Sequence, residues 1–237
     1  MVFLEMQLQI LESVYHLMHF FKRSNMNKFE NIRTERFGLD DIIIIDDVIP
    51  KTYSDLIENI VTTGEIPFYY SSDVGHEDAI KSQNRKNYGF NFWLKKREEN
   101  NFAGLHYLFL PMIYEAFNKI GREISYIDLG RLFLTTSEVI EKEDVLHIDQ
   151  PRYYIGLIYY VNDNDGQTLF SDKIFDEESE QLDYWSTPYY LTTDKNINII
   201  NRVTSKKGRV VIFNGLRYHT AKRSSSGVRF VANYNIL

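Results

Sequence analysis

The triplet His147-Ile148-Asp149 has the clearest capacity for chemistry in this chain of 237 residues. In a strand, residues two apart project to the same face, so this imidazole and carboxylate can share one metal ion. A second imidazole from elsewhere completes a facial triad, and His219 is the candidate. Such a triad leaves three coordination positions open, as oxygen activation requires. Ten residues beyond His219 stands Arg229. Its guanidinium fork suits a carboxylate, through paired charge-assisted hydrogen bonds.

The triplet alone is weak, because the chain contains another, His76-Glu77-Asp78. That copy lies in a polar stretch without strand alternation. The histidine after it, His106, falls in an expected helix and has Ala116 ten residues on. Taken singly, His147 and His219 read as ordinary buried histidines. Their context argues otherwise. A strong strand, Tyr153–Val161, follows the triplet, and the strand Arg209–Phe213 leads into His219. The turn Ser224-Ser225-Ser226-Gly227 then suggests a hairpin that sets Arg229 beside His219 on one wall.

Other elements must carry these residues. Ile42–Ile45 reads as a strand, and Pro50 opens a helix over about 51–62 that Gly64 ends. Tyr88–Leu94 alternates like a strand. A helix over about 101–120 has apolar residues at Leu105, Leu108, Phe109, Met112, Ile113 and Phe117, and stops at Gly121. From Ile124 the texture is all strand: Ile124–Thr135, Tyr153–Val161, Thr168–Phe170, Ile197–Val203, Arg209–Phe213 and Val228–Ile236. Helices first and strands after imply an α+β, mainly β domain, with a barrel or sandwich in its second half. Residues 1–38 read as an N-terminal helix and linker, and 39–237 as the domain, with 124–237 its metal-binding core. The acidic insertion 171–195 reads as a solvated loop or a lid over the site. Trp185 within it is either an anchor for that loop or a platform for substrate.

With no cysteine in the chain, disulfides, zinc-thiolate sites and thiol catalysis are excluded. A reducing, cytoplasmic setting is expected. A net charge of −6 argues against a nucleic-acid partner. From Lys195 to Leu237, however, there are nine Lys/Arg and no Asp or Glu. That run reads as a solvated basic face or as the wall of an anion pocket. Arg217 and Arg223 are expected to be solvated, with substrate contact as the alternative. The pairs Tyr153-Tyr154 and Tyr159-Tyr160 are expected in core and wall. Residues 2–21 are too interrupted by Glu, Gln and His for a membrane span. They suggest an amphipathic helix that packs on the domain or on a second copy, giving an oligomer.

Taken together, these residues resemble the 2-oxoglutarate/iron(II) oxygenases, which pair His-x-Asp with a distal His and a basic residue about ten further on. Ile124–Leu237 most resembles the prolyl 4-hydroxylase-like branch, in its phage and bacterial form with Arg at the basic position. The motifs behind this are Gly166-Gln167-Thr168-Leu169-Phe170, the Lys206-Lys207-Gly208 turn before the strand to the distal His, and Arg229-Phe230-Val231-Ala232-Asn233-Tyr234. The resemblance implies a double-stranded β-helix (jelly-roll) core with supporting N-terminal helices. It implies Fe(II) held by His147, Asp149 and His219, and 2-oxoglutarate held by Arg229 with help from Thr168. Ascorbate is an optional reductant. The family often adds a Tyr from a strand before the triplet, and here Tyr126 and Arg131 both compete for that place. Molecular oxygen would be the oxidant, and Asp149 leaves no vacant position for a halide. The expected activity is hydroxylation of a protein or peptide residue. The alternatives are the same chemistry on a free amino acid or other small metabolite, and a non-catalytic β-barrel binding module.

Overall fold

A computed structural model of the protein describes residues 42–63, 66–71, 89–96, 104–137, 146–176 and 197–237. Ten strands and two helices are formed by these residues. The strands are β1 (Ile42–Ile45), β2 (Tyr69–Ser71), β3 (Gly89–Lys95), β4 (Ile127–Thr136) and β5 (Ile155–Tyr160). They continue with β6 (Gln167–Ile174), β7 (Ile199–Thr204), β8 (Val210–Asn214), β9 (Arg217–Lys222) and β10 (Val228–Ile236). The helices are Lys51–Thr62 and Leu105–Lys119. The segment 1–38, the His76 triplet and most of the 171–195 insertion, with Trp185, lie outside the described residues.

Two antiparallel sheets face each other. The larger has the order β1-β8-β5-β10-β4-β3-β2, and the smaller β7-β6-β9. This mainly β double sheet matches the expected jelly-roll core. Both helices pack on the outer face of the larger sheet. There Ile57, Val61, Phe109, Ile113 and Phe117 meet Leu132, Leu157, Tyr159, Ile212 and Tyr234. Between the sheets a second core joins Ile158, Tyr160, Val211, Phe213 and Val231 to Phe170 and Val203. Every side chain of β5 and β8 is therefore buried. That explains why both segments read as continuous apolar runs rather than alternating ones. Among the described residues no helix is long and apolar enough to cross a membrane.

The helix stops follow local chemistry. Gly121 has φ +66°. Its N–H donates to the Asn118 carbonyl, and that of Arg122 donates to Phe117. This is a Schellman end, which needs a residue free to adopt the left-handed conformation.

Two strands, β2 and β9, are additions to the sequence reading, and β9 changes the topology. Only Gly215 and Leu216 separate β8 from β9, yet β8 lies in the larger sheet and β9 in the smaller. Likewise β9 pairs with β6, whereas β10 pairs with β4 and β5. The expected hairpin joining His219 to Arg229 on one wall is thus not formed; the two residues sit on opposite sheets.

Candidate metal centre

His147 is held beside His219 by its own backbone. Each residue donates its N–H to the other's carbonyl at 2.9 Å. The two rings lie 4.8 Å apart, centroid to centroid. Alternation then separates the triplet's side chains. Ile148 is buried with Phe175, Leu216 and Tyr218, while Asp149 shares a side with His147. His147 Nε2 lies 3.6 Å from Asp149 Oδ1. One donor atom from each of His147, Asp149 and His219 falls within 4.8 Å of the others.

The surroundings fit a divalent ion. His219 Nδ1 is 3.0 Å from the Arg217 carbonyl, so it carries the proton and leaves Nε2 as the ligand atom. Burial, aided by neighbouring His147, lowers the pKa of His219 to about 4, which keeps the ring neutral. Phe213 packs edge-on to this ring at 4.8 Å. Asp149 Oδ2 accepts from Asn233 Nδ2 at 3.0 Å, and the Asp149 backbone N–H donates to the Tyr154 hydroxyl at 3.0 Å. Burial opposes the charged form of Asp149. The imidazoles, Arg131 and the Asn233 amide outweigh it and hold the carboxyl below its usual range. With Oδ2 engaged, Oδ1 is the oxygen turned toward His147 and free for a metal.

Across the gap between the sheets lies a second polar cluster. Arg229, on β10, is 3% exposed. Its Nη2 donates to Thr168 Oγ1 on β6 at 3.0 Å, and the Tyr160 hydroxyl donates to the same oxygen at 2.8 Å. Both acceptor positions of Thr168 are then filled, which leaves its O–H to donate to a ligand. Burial raises the Tyr160 pKa, so this hydroxyl stays a neutral donor. Tyr160 was expected only as core or wall. Its one sequence signal is position: it alternates with buried Ile158 on the face that looks at the smaller sheet. Gly166 is required beside this cluster. A Cβ there would lie 2.7 Å from Arg229 Cδ and 2.9 Å from Asn164 Oδ1.

The competing residues separate cleanly. Arg131 is the register partner of Asn233, and its Nη2 is 3.9 Å from Asp149 Oδ1. The rings of Trp93 and Phe133 each lie 4.9 Å from its guanidinium carbon. Tyr126 is 42% exposed, below the Lys95 ammonium. On β4, Thr135 opposes Arg229, so Tyr126 lies nine residues away from it along the strand. At about 3.3 Å per residue that is roughly 30 Å, too far to share a ligand. Arg217 and Arg223, expected in solvent, are 1% and 6% exposed. Arg217 donates to the Ser171 carbonyl at 2.8 Å. The basic run therefore divides. Lys206, Lys207 and Arg209 pair on the surface with Asp46, Asp55 and Glu58, while the later arginines turn inward.

No protein-family model matches the chain, and no curated protein matches its sequence. Solved structures do match. An oxidoreductase of the 2OG-Fe(II) oxygenase family from Burkholderia pseudomallei aligns with TM-score 0.53 at 9% identity, over 86% of this chain and 93% of that one. The epimerase SnoN, in complex with Fe3+, alpha ketoglutarate and nogalamycin RO, aligns with TM-score 0.55 at 12% identity, over 85% and 80%. HygX from Streptomyces hygroscopicus, with nickel, 2-oxoglutarate and hygromycin B bound, aligns with TM-score 0.50 at 8% identity, over 82% of each chain. The chain therefore has the fold of the 2-oxoglutarate/iron(II) oxygenases, with His147, Asp149 and His219 gathered inside it.

Proposed function

We propose that the protein is an iron(II)- and 2-oxoglutarate-dependent dioxygenase that hydroxylates its substrate. One observation carries this reading: two imidazoles and a carboxylate offer ligand atoms within 4.8 Å of one another in the fold that houses such chemistry. The metal and 2-oxo acid together supply oxidative decarboxylation to succinate and carbon dioxide, with the second oxygen atom delivered to a substrate C–H bond. His147, Asp149 and His219 hold the ion. Arg229 pairs with the distal carboxylate of 2-oxoglutarate, and Thr168 donates its hydroxyl hydrogen to the same group. Tyr160 fixes Thr168 in that role. The phenyl rings of Phe170 and Phe213 exclude water around His219.

The sequence resemblance favours a protein or peptide residue as substrate. A small molecule is the second reading, and Arg131 beside Asp149 favours it. Purified protein given ferrous iron, oxygen and 2-oxoglutarate is expected to release succinate slowly without substrate. His147→Ala and Asp149→Ala are expected to abolish the release. Turnover unchanged from wild type in both variants would remove the metal assignment.

A further inference from the structure

Among the described residues, Arg131 has no matching anion once the site is filled. Its side chain is 23% exposed, and its guanidinium makes no hydrogen bond to a described residue. Among the described residues the nearest carboxylate oxygen, Asp149 Oδ1, is 3.9 Å away, beyond hydrogen-bond reach, and turned to His147. Asp149 needs no further partner, because Asn233 holds Oδ2 and the proposed metal takes Oδ1. Charge makes the point sharper. A divalent ion and Arg229 together balance Asp149 and the dianionic 2-oxoglutarate. Among the described residues Arg131 then leaves one positive charge in excess, next to a metal ion, in a partly desolvated site. Such a charge is costly unless an anion joins it.

The position of Arg131 is held firmly. Trp93 on β3 and Phe133 on β4 flank the guanidinium at 4.9 Å each, leaving its N–H groups as the part a ligand can use. Arg131 shares a face with Asn233 and lies on the β3 side of Asp149, away from Arg229 and Thr168.

We infer that Arg131 binds a carboxylate of the substrate itself, close to the carbon that is hydroxylated, and that the substrate is a small acid such as a free amino acid. A peptide residue presents an amide at that place, which cannot neutralise the charge. A guanidinium also grips a carboxylate through two parallel hydrogen bonds, so it orients the acid as well as attracting it. The inference rests on the oxygenase reading above.

The test uses protein loaded with nickel(II) and 2-oxoglutarate, which binds without turning over. Free L-amino acids, their carboxamides and acidic peptides are screened by thermal shift, and the iron enzyme is screened in parallel by succinate release. At least one free acid is expected to raise the melting temperature and stimulate succinate release, and its amide to do neither. Arg131→Gln is expected to weaken that acid about 10- to 100-fold while 2-oxoglutarate still binds normally. Arg131→Lys should recover part of the loss, which separates charge from packing. A response to acidic peptides alone would overturn the small-acid inference, because the carboxylate would then come from a peptide. Equal binding of acid and amide, no acid bound, or equal binding to wild type and Arg131→Gln would overturn the inference. So would lost 2-oxoglutarate binding in Arg131→Gln, which would make Arg131 a cosubstrate contact. No stabilisation of wild type by nickel and 2-oxoglutarate would instead strike the oxygenase reading.

Discussion

Asn233 donates from Nδ2 to Oδ2 of Asp149 at 3.0 Å, so one oxygen of that carboxylate is occupied before any metal arrives. The bond makes Asp149 a ligand through a single oxygen. Asn233→Leu is therefore expected to weaken metal binding about 10- to 100-fold, the usual cost of losing such a supporting contact. Equilibrium dialysis with manganese(II) measures this directly. Unchanged affinity would mean that Tyr154 and the backbone suffice to aim Asp149.

Arg229 and Tyr160 meet at one oxygen of Thr168 but act differently on a ligand. Removing the guanidinium removes a charge-assisted pair, so Arg229→Ala should raise the apparent KM for 2-oxoglutarate about 10- to 100-fold. Tyr160→Phe removes only a neutral bond and should raise it about threefold to tenfold. Steady-state succinate release at varied 2-oxoglutarate separates the two. Equal, small effects would clear Arg229 of its role.

Gly166 offers a test that touches no ligand. A methyl group there would lie 2.7 Å from Arg229 Cδ, so Gly166→Ala must displace the arginine stem. The expected cost is about 1–3 kcal/mol of stability, with a raised KM for 2-oxoglutarate and normal metal affinity. A crystal structure of the variant with Arg229 unmoved would refute it.

His106 should make the fold acid-sensitive. Burial, with Lys95 nearby, lowers its pKa from 6.5 to about 4. The unfolded chain takes up the proton first as pH falls, so stability from neutral His106 is complete above about pH 6.5 and shrinks toward pH 4. The loss is on the order of 3 kcal/mol. Urea unfolding of metal-free protein at pH 7 and pH 4.5 measures it, with His106→Gln expected to show a smaller drop. An equal drop in both would assign the sensitivity elsewhere.

Much of this was legible from the sequence because it is local. The apolar run Ile42–Ile45 and the buried positions of Leu105–Lys119 follow from short-range pattern, and β10 begins and ends where composition put it. Alternation put His147 and Asp149 on one side, but only the neighbouring strands and the distal His219 set that triplet apart from His76-Glu77-Asp78. Strand β9, Arg-Tyr-His-Thr-Ala-Lys, was not. Its inward positions carry polar chemistry, so it lacks the apolar signature of a strand although its first four residues are buried. Arg217 and Arg223 misled for the same reason, since burial of a guanidinium depends on distant partners. Thr168 and Arg229 stand 61 residues apart and meet only across the two sheets, a contact that no window of sequence contains.

The paired amides of His147 and His219 have a practical use. Opening that bridge pulls two ligands apart, so an ion clamped between the rings must slow hydrogen–deuterium exchange at both peptide groups. Those two backbone protons form a native gauge of occupancy, readable by mass spectrometry without catalysis, label or substrate.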